Sequence, residues 1–283
     1  MDLQPEGSTL TFLSGGTTNR NWRVDIDGQP VAVWREPASD DSLLGIDRTI
    51  ERRAARQAYE AGVAPPVLAT AASGETLTGW IDAPAMAADA LLDKGFRTRL
   101  CAALKALHAQ PLLGRRLDHL ESLARFSDGV RKSGLALPDG FDQLTDQAER
   151  IAATLGPARD VVPCHNDLSA GNVLDAGDRV WLIDFEYAAD GDIAAELGNA
   201  VAMSALPPAA VEPLVVAYAG TAELTDRAVL YHALSIIAWI PWLVLQAAAH
   251  PELPDIAQWI DLDVRAAVDS CDSAEFATAI RRI

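Results

Sequence analysis

The chain has 283 residues, 49% apolar and 22% charged, which is enough for one large domain or two packed lobes and carries no compositional sign of disorder. A formal net charge of −17 repels phosphate backbones and argues against a nucleic-acid partner. Three cysteines without a CxxC pair suggest no disulfide framework and fit a reducing cytoplasm. The opening MDLQPEGSTL lacks the basic and apolar regions of a secretory leader.

Taken in chain order, residues 8–12 and 22–26 read as strands, with the turn signal Asp27-Gly28 and a partner strand at 31–34. Residues 37–41 read as a loop. Helical spacing of apolar residues runs over 46–61, and Gly62 closes it. Strands at 67–70 and 76–81 flank a Ser73-Gly74 turn. Beyond residue 83 the pattern is helical over 96–109, 117–129 and 141–155. A β-rich insert follows at 161–185, and helices resume from 193. This order predicts an α+β, bilobal architecture. Residues 1–82 form a small β-rich lobe and 83–283 a larger, mainly helical one, joined near 80–84. The apolar run 228–249 is long enough to span a bilayer. Tyr231, His232, Ser235, Pro241 and Gln246 interrupt it, so a buried helix of the larger lobe is expected and stable membrane insertion is not.

The strongest signal is VVPCHNDLSAGNVLDAGDRVWLIDFEYA, residues 161–188. His165-x-Asp167-x-x-x-x-Asn172 has the spacing of a kinase catalytic loop, and Asp184-Phe185-Glu186 stands where protein kinases carry Asp-Phe-Gly. Phosphoryl transfer needs a carboxylate to orient the attacking hydroxyl and accept its proton. It also needs hard oxygen ligands to hold Mg²⁺ against the ATP phosphates. Asp167 is the expected base, and Asn172 and Asp184 are the expected metal ligands. His165 is read as orienting the loop through a hydrogen bond. Single Asp or Asn residues in such a stretch serve as turn residues; three at this spacing, embedded in apolar strands, point to the catalytic motif.

Upstream, Leu13-Ser14-Gly15-Gly16-Thr17-Thr18-Asn19 lies between two expected strands. Paired glycines let backbone N–H groups approach phosphates, and a plain hairpin turn uses the same residues. Arg35, at the end of strand 31–34, is the candidate phosphate clamp, and Glu51 on the next helix its brace. Glu60, at the helix end, competes with Glu51 for that part.

These segments together resemble the choline/ethanolamine kinases, within the aminoglycoside-phosphotransferase-like, protein-kinase-like superfamily. The resemblance rests on Gly15, Gly16, Thr17, Thr18 and Asn19, on Arg35 and Glu51, and on His165-Asn166-Asp167, Asn172 and the 183–188 stretch IDFEYA. It implies ATP and Mg²⁺ as cofactors, with Ile81 near the connector joining the nucleotide-side set. It also implies an acceptor side built from Glu186, Tyr187, Asn199, Trp239 and Trp242. Choline kinases have a similar W-x-x-W that helps form an aromatic box for a quaternary ammonium. Trp239 and Trp242 share a helix face and could equally be core residues. Two departures bear on the acceptor: Asn199 stands where a carboxylate is usual, with Glu196 one turn before it, and Pro241 separates the tryptophans. The expected activity is transfer of the ATP γ-phosphate to choline, ethanolamine or a similar amino alcohol, a small cationic partner. The alternatives are a thiamine, aminoglycoside, sugar or amino acid acceptor, or an inactive nucleotide-binding module; a homodimer stays open. A cytoplasmic location is expected.

Overall fold

In the computed structural model, residues 3–14, 18–37, 41–253 and 255–283 are described. Within the first 80 residues lie five antiparallel strands: β1 (Thr9–Leu13), β2 (Asn19–Ile26), β3 (Gln29–Pro37), β4 (Val67–Thr70) and β5 (Thr76–Gly79). Their order in the sheet is β1-β2-β3-β5-β4. Asp27 and Gly28, at φ 51° and 75°, make the β2–β3 turn, a conformation that suits this dipeptide. Val24, Ala32 and Leu77 form the sheet's own small core.

Between β3 and β4 lie a short helix, α1 (Asp41–Leu44), and α2 (Arg48–Glu60). Helix α2 begins two residues later than its apolar spacing predicts. Asp47 caps it by accepting from the Thr49 and Ile50 N–H groups, which leaves Ile46 outside to pack elsewhere. Ile50, Ala54 and Ala58 on its inner face belong to the main helical core, so α2 is anchored to the larger lobe while it covers the sheet. Strand β5 stops at Gly79, short of the predicted 81, and Trp80 and Ile81 run on as the connector.

The larger lobe contains α3 (Lys94–His108), α4 (His119–Lys132), α5 (Phe141–Leu155), α6 (Ile193–Met203), α7 (Val211–Tyr218), α8 (Ala222–Ala249), α9 (Asp255–Asp272) and α10 (Ala274–Arg282). Two small ladders sit between α5 and α6. Strand β7 (Val173–Asp175) pairs with β8 (Val180–Leu182), and β6 (Val161–Cys164) pairs with β9 (Ala189–Asp192). The insert therefore runs past residue 185. The sequence Ala-Asp-Gly-Asp of β9 has poor strand propensity, and pairing with β6 imposes the conformation. Helix α8 packs against α4, α5, α6, α7, α9 and α10 and is buried from Asp226 to Gln246 apart from the half-buried Trp242. Among the described residues it is the one helix long and apolar enough to cross a membrane, and here it is a core helix. Gly198 of α6 lets it press on α8: a Cβ there would meet the Ala228 carbonyl oxygen at 2.3 Å and the His232 nitrogen at 2.8 Å.

Candidate active site

The loop after β6 is held from beneath. Glu196, in the first turn of α6 and fully buried, accepts the backbone N–H groups of His165 (2.6 Å) and Asn166 (3.0 Å). Burial disfavours its charge, but His108, whose Nε2 stands 3.6 Å away, and the two backbone donors outweigh that. Its carboxyl therefore lies below the usual range and stays ionised. Asn166 is left-handed (φ 63°), a conformation Asn tolerates, and its side chain donates to the Tyr187 carbonyl at 3.1 Å. Both ring nitrogens of His165 are engaged. Nδ1 accepts from the Asp167 N–H at 3.3 Å, so the proton falls on Nε2, which donates to the Ile183 carbonyl at 2.9 Å. The ring also packs on Phe185, with centroids 4.6 Å apart. These bonds tie the loop after β6 to the segment that presents Asp184, and they engage both imidazole nitrogens within the fold.

Asn172 donates its amide to both the Asp167 carboxylate (2.8 Å) and the Asp167 carbonyl (3.0 Å). Burial pushes the Asp167 carboxyl up to about 6; the Asp184 charge adds to the rise, while His165, Asn172 and Ser169 oppose it. Asp184 follows β8 in the left-handed region (φ 64°), which turns its side chain back toward the sheet. Arg35 Nη1 reaches its Oδ1 at 2.8 Å, and burial raises its carboxyl despite that cation. Asn172 spends its NH₂ on Asp167 and Asp184 spends Oδ1 on Arg35. Each thus keeps an oxygen for a hard cation, and this donor set fits Mg²⁺.

Arg35 also holds Glu51 through its second nitrogen, so one guanidinium links β3, α2 and the Asp184 turn. Arg48 joins the network. It pairs with Asp41 at 2.6 Å and Glu51 at 2.9 Å, donates to the Asn19 Oδ1 at 3.3 Å, and stands 3.7 Å from Glu186. Glu186 accepts from Thr18 Oγ1 (2.7 Å) and Asn19 Nδ2 (2.9 Å). Burial, reinforced by Asp184, pushes its carboxyl up to about 8. Glu186 thus sits against the start of β2. Gly15, Gly16 and Thr17 lie outside the described residues. Glu60 is exposed at the far end of α2, so Glu51 is the carboxylate that meets Arg35. A cavity of about 400 Å³ opens between the lobes, lined by Val33, Arg35, Glu51, Trp80, Ile81, Asn172 and Asp184. Ligand sites commonly have this size.

A second focus lies on the helical side. Trp239 packs edge-on against Tyr187 (4.8 Å) and Trp242 (5.9 Å), and Phe126 lies 5.6 Å from it. Trp242 Nε1 donates to the Tyr187 hydroxyl at 2.9 Å. Asn199 lies in α6, one turn before Met203, which packs against this cluster. Its Oδ1 is buried without a hydrogen-bond partner among the described residues.

A phosphotransferase enzyme family model matches residues 9–231, which takes in the sheet, the catalytic loop and most of the helices around it. The chain belongs to the phosphotransferase enzyme family. Within and around that family, it is 28% identical over 222 residues to the protein LicA of Haemophilus influenzae, covering 74% of this chain and 63% of LicA. It is 33% identical over 152 residues to thiamine kinase of Escherichia coli K12, covering 53% of this chain and 51% of the kinase. The chain therefore spans less than two thirds of these curated relatives. A solved choline/ethanolamine kinase family protein from Mesorhizobium loti is 25% identical, with a TM-score of 0.79, covering 96% of this chain and 91% of that one. This phosphotransferase is bilobal, with the protein-kinase-like fold of its solved neighbours.

Two residues of the candidate site are not apparent from motif spacing. Arg48 has a signal: a cation in the first turn of a helix opposes the macrodipole, so its charge must be used elsewhere. Glu196 has a weaker one, as the single charge in the apolar helix IAAELGNAVAM.

Proposed function

We propose that this protein is an ATP- and Mg²⁺-dependent kinase that phosphorylates the hydroxyl of choline, ethanolamine or a similar amino alcohol. One observation carries the reading. Asp167 and Asn172 are locked together by a 2.8 Å hydrogen bond, and Asn172 and Asp184 line the same interlobe cavity as the Arg35–Glu51 pair. That arrangement supports a base on one side of a nucleotide site and cation-binding groups on the other. Asp167 accepts the proton of the acceptor hydroxyl as its oxygen attacks the γ-phosphorus. The bond from that phosphorus to the β–γ bridging oxygen breaks, and ADP leaves. Arg35, braced by Glu51, holds the phosphates in place. Asn172 and Asp184 would hold Mg²⁺, which when bound neutralises charge on the phosphate oxygens. The aromatic cluster of Tyr187, Trp239 and Trp242 supports a cationic acceptor, because ring faces attract such charge. We place the lobe boundary at residues 82–83. Buried free thiols at Cys101 and Cys164 support a reducing, cytoplasmic setting.

The test is an ADP-release screen over choline, ethanolamine, thiamine, sugars, amino acids and aminoglycosides, with Asp167→Asn alongside. Turnover of an amino alcohol that Asp167→Asn abolishes, with ATP affinity retained, is the expected result. Turnover confined to neutral sugars would refute the amino-alcohol assignment. Near-normal kcat in folded Asp167→Asn would refute the base.

A further inference from the structure

Two contacts define how α9 lies on α8. Ser270 Oγ meets His232 Nδ1 at 2.9 Å, and Ile260 packs against the cluster that contains Trp239 and Trp242. Numbers rise on one helix as they fall on the other, so the pair is antiparallel. Seven residues back along α9 from Ser270 is Asp263; seven residues on along α8 from His232 is Trp239. Both helices rise about 1.5 Å per residue, so Asp263 is level with Trp239. At about 100° per residue, Asp263 also falls mid-way across the stripe formed by Ile256, Ile260, Ala267 and Ser270. It occupies the face that α9 turns to the core.

A carboxylate in that stripe is costly unless something compensates it. The other inward-facing carboxylates are matched. Glu51 holds Arg35 and Arg48, Asp190 accepts the Leu113 and Gly114 N–H groups, Asp192 pairs with Arg227, and Glu196 accepts two loop amides. Asp263 is partly buried, and among the described residues it has no hydrogen-bond donor and no cation. Burial alone pushes its carboxyl up to about 6. Asn199, one turn before Met203 on α6, supplies no charge.

We propose that Asp263 is a specificity-determining residue whose carboxylate faces the positive charge of an acceptor bound against Trp239. The inference rests on the amino-alcohol reading above and adds its charge selector. The ring quadrupole attracts a cation but discriminates weakly against neutral groups of the same shape. A carboxylate level with that ring supplies the discrimination.

The experiment compares wild type with Asp263→Asn and Asp263→Glu as full chains. KM is measured for choline and ethanolamine, and for their uncharged carbon isosteres dimethylbutanol and propanol, together with KM for ATP and the Tm without ligand. Asp263→Asn should raise KM for the cationic alcohol about tenfold or more, since charge-assisted contacts of this kind are worth at least a decade of affinity. KM for the isostere and for ATP should stay within about twofold of wild type. Asp263→Glu should recover part of the loss. Tm should hold or rise, because the unpaired charge is gone. If charged and uncharged acceptors weaken together, or neither does, the assignment to Asp263 is overturned while the kinase reading stands. If wild type turns over no cationic alcohol, both fall.

Discussion

Glutamine in place of Glu196 should disable the catalytic loop without altering any side chain in it. The carboxylate accepts two backbone N–H groups, at 2.6 and 3.0 Å, in a fully buried position. Glutamine has one acceptor oxygen, so its NH₂ would confront one of those donors. An unpaired buried donor costs about 1–3 kcal/mol, and the surviving bond loses its charge assistance, roughly 1 kcal/mol more. The sum, about 2–4 kcal/mol, corresponds to a fall in Tm of about 5–10 °C for a chain of this size. The loop should then drift. Asn166 sits in the left-handed region, and its φ of 63° is held by the Glu196 bond on one side and by its own amide on the other. A displacement of about 1 Å at Asp167 is enough to reduce kcat by a factor on the order of a hundred. KM for ATP should change little, because Arg35 and Glu51 are braced from α2 and not from α6. Initial-rate measurements of ADP release, with melting curves on the same preparations, give all three quantities. A glutamine variant with wild-type Tm and kcat would falsify the claim that Glu196 positions the loop.

Three further outcomes are expected. Arg35→Gln should raise KM for ATP about tenfold or more, since it removes the cation that links Glu51 to Asp184; an ATP KM within twofold of wild type would exclude Arg35 as the phosphate clamp. Gly198→Ala should destabilise by about 3 kcal/mol, read as a shift in denaturation midpoint, because its Cβ would sit 2.3 Å from the Ala228 carbonyl oxygen on helix backbone that cannot yield cheaply. His119 is buried and neutral, its pKa pushed down by burial to about 4 from the usual 6.5. The unfolded chain therefore binds the proton first as pH falls through 6.5, and stability declines from there down to about pH 4. At pH 5 the loss is about 2 kcal/mol, and His119→Gln should flatten this part of the wild-type stability profile between pH 7.5 and 5.

The grouping of the proposed catalytic residues was readable because it is local. Asp167, Asn172 and Asp184 lie within 18 residues, and a loop and one short hairpin bring them together. The Arg35–Glu51 pair was also readable, since both residues belong to the element order β3 then α2, and the helix face selects Glu51 over Glu60. What was not legible depends on distant elements meeting. Glu196 matters because α6 places its first turn under a loop 30 residues earlier, and no local pattern announces that. The placement of Glu186 with Thr18 and Asn19 spans more than 160 residues and turns on how the sheet settles against the helices. Helix limits were shifted for a simpler reason. Apolar spacing ran on through Ile46, but the Asp47 cap decides where α2 starts. Strand β9 failed to register because its conformation comes from its partner and not from its residues.

The burial of α8 has a consequence for biosynthesis. Its inner neighbours α4, α5 and α6 precede it in the chain, whereas α9 and α10 follow it. As the ribosome delivers residues at about 5–20 per second, an apolar rod long enough to cross a bilayer is for some seconds covered on one side only. In that interval it can be mistaken for a signal by the membrane-insertion machinery or be caught by a chaperone, and the helices that release it arrive afterwards. Changes at the apolar inner positions Ile256 and Ala267 of α9 will therefore register first in the yield of soluble protein from cells, with little trace in the turnover of the molecules that complete their folding.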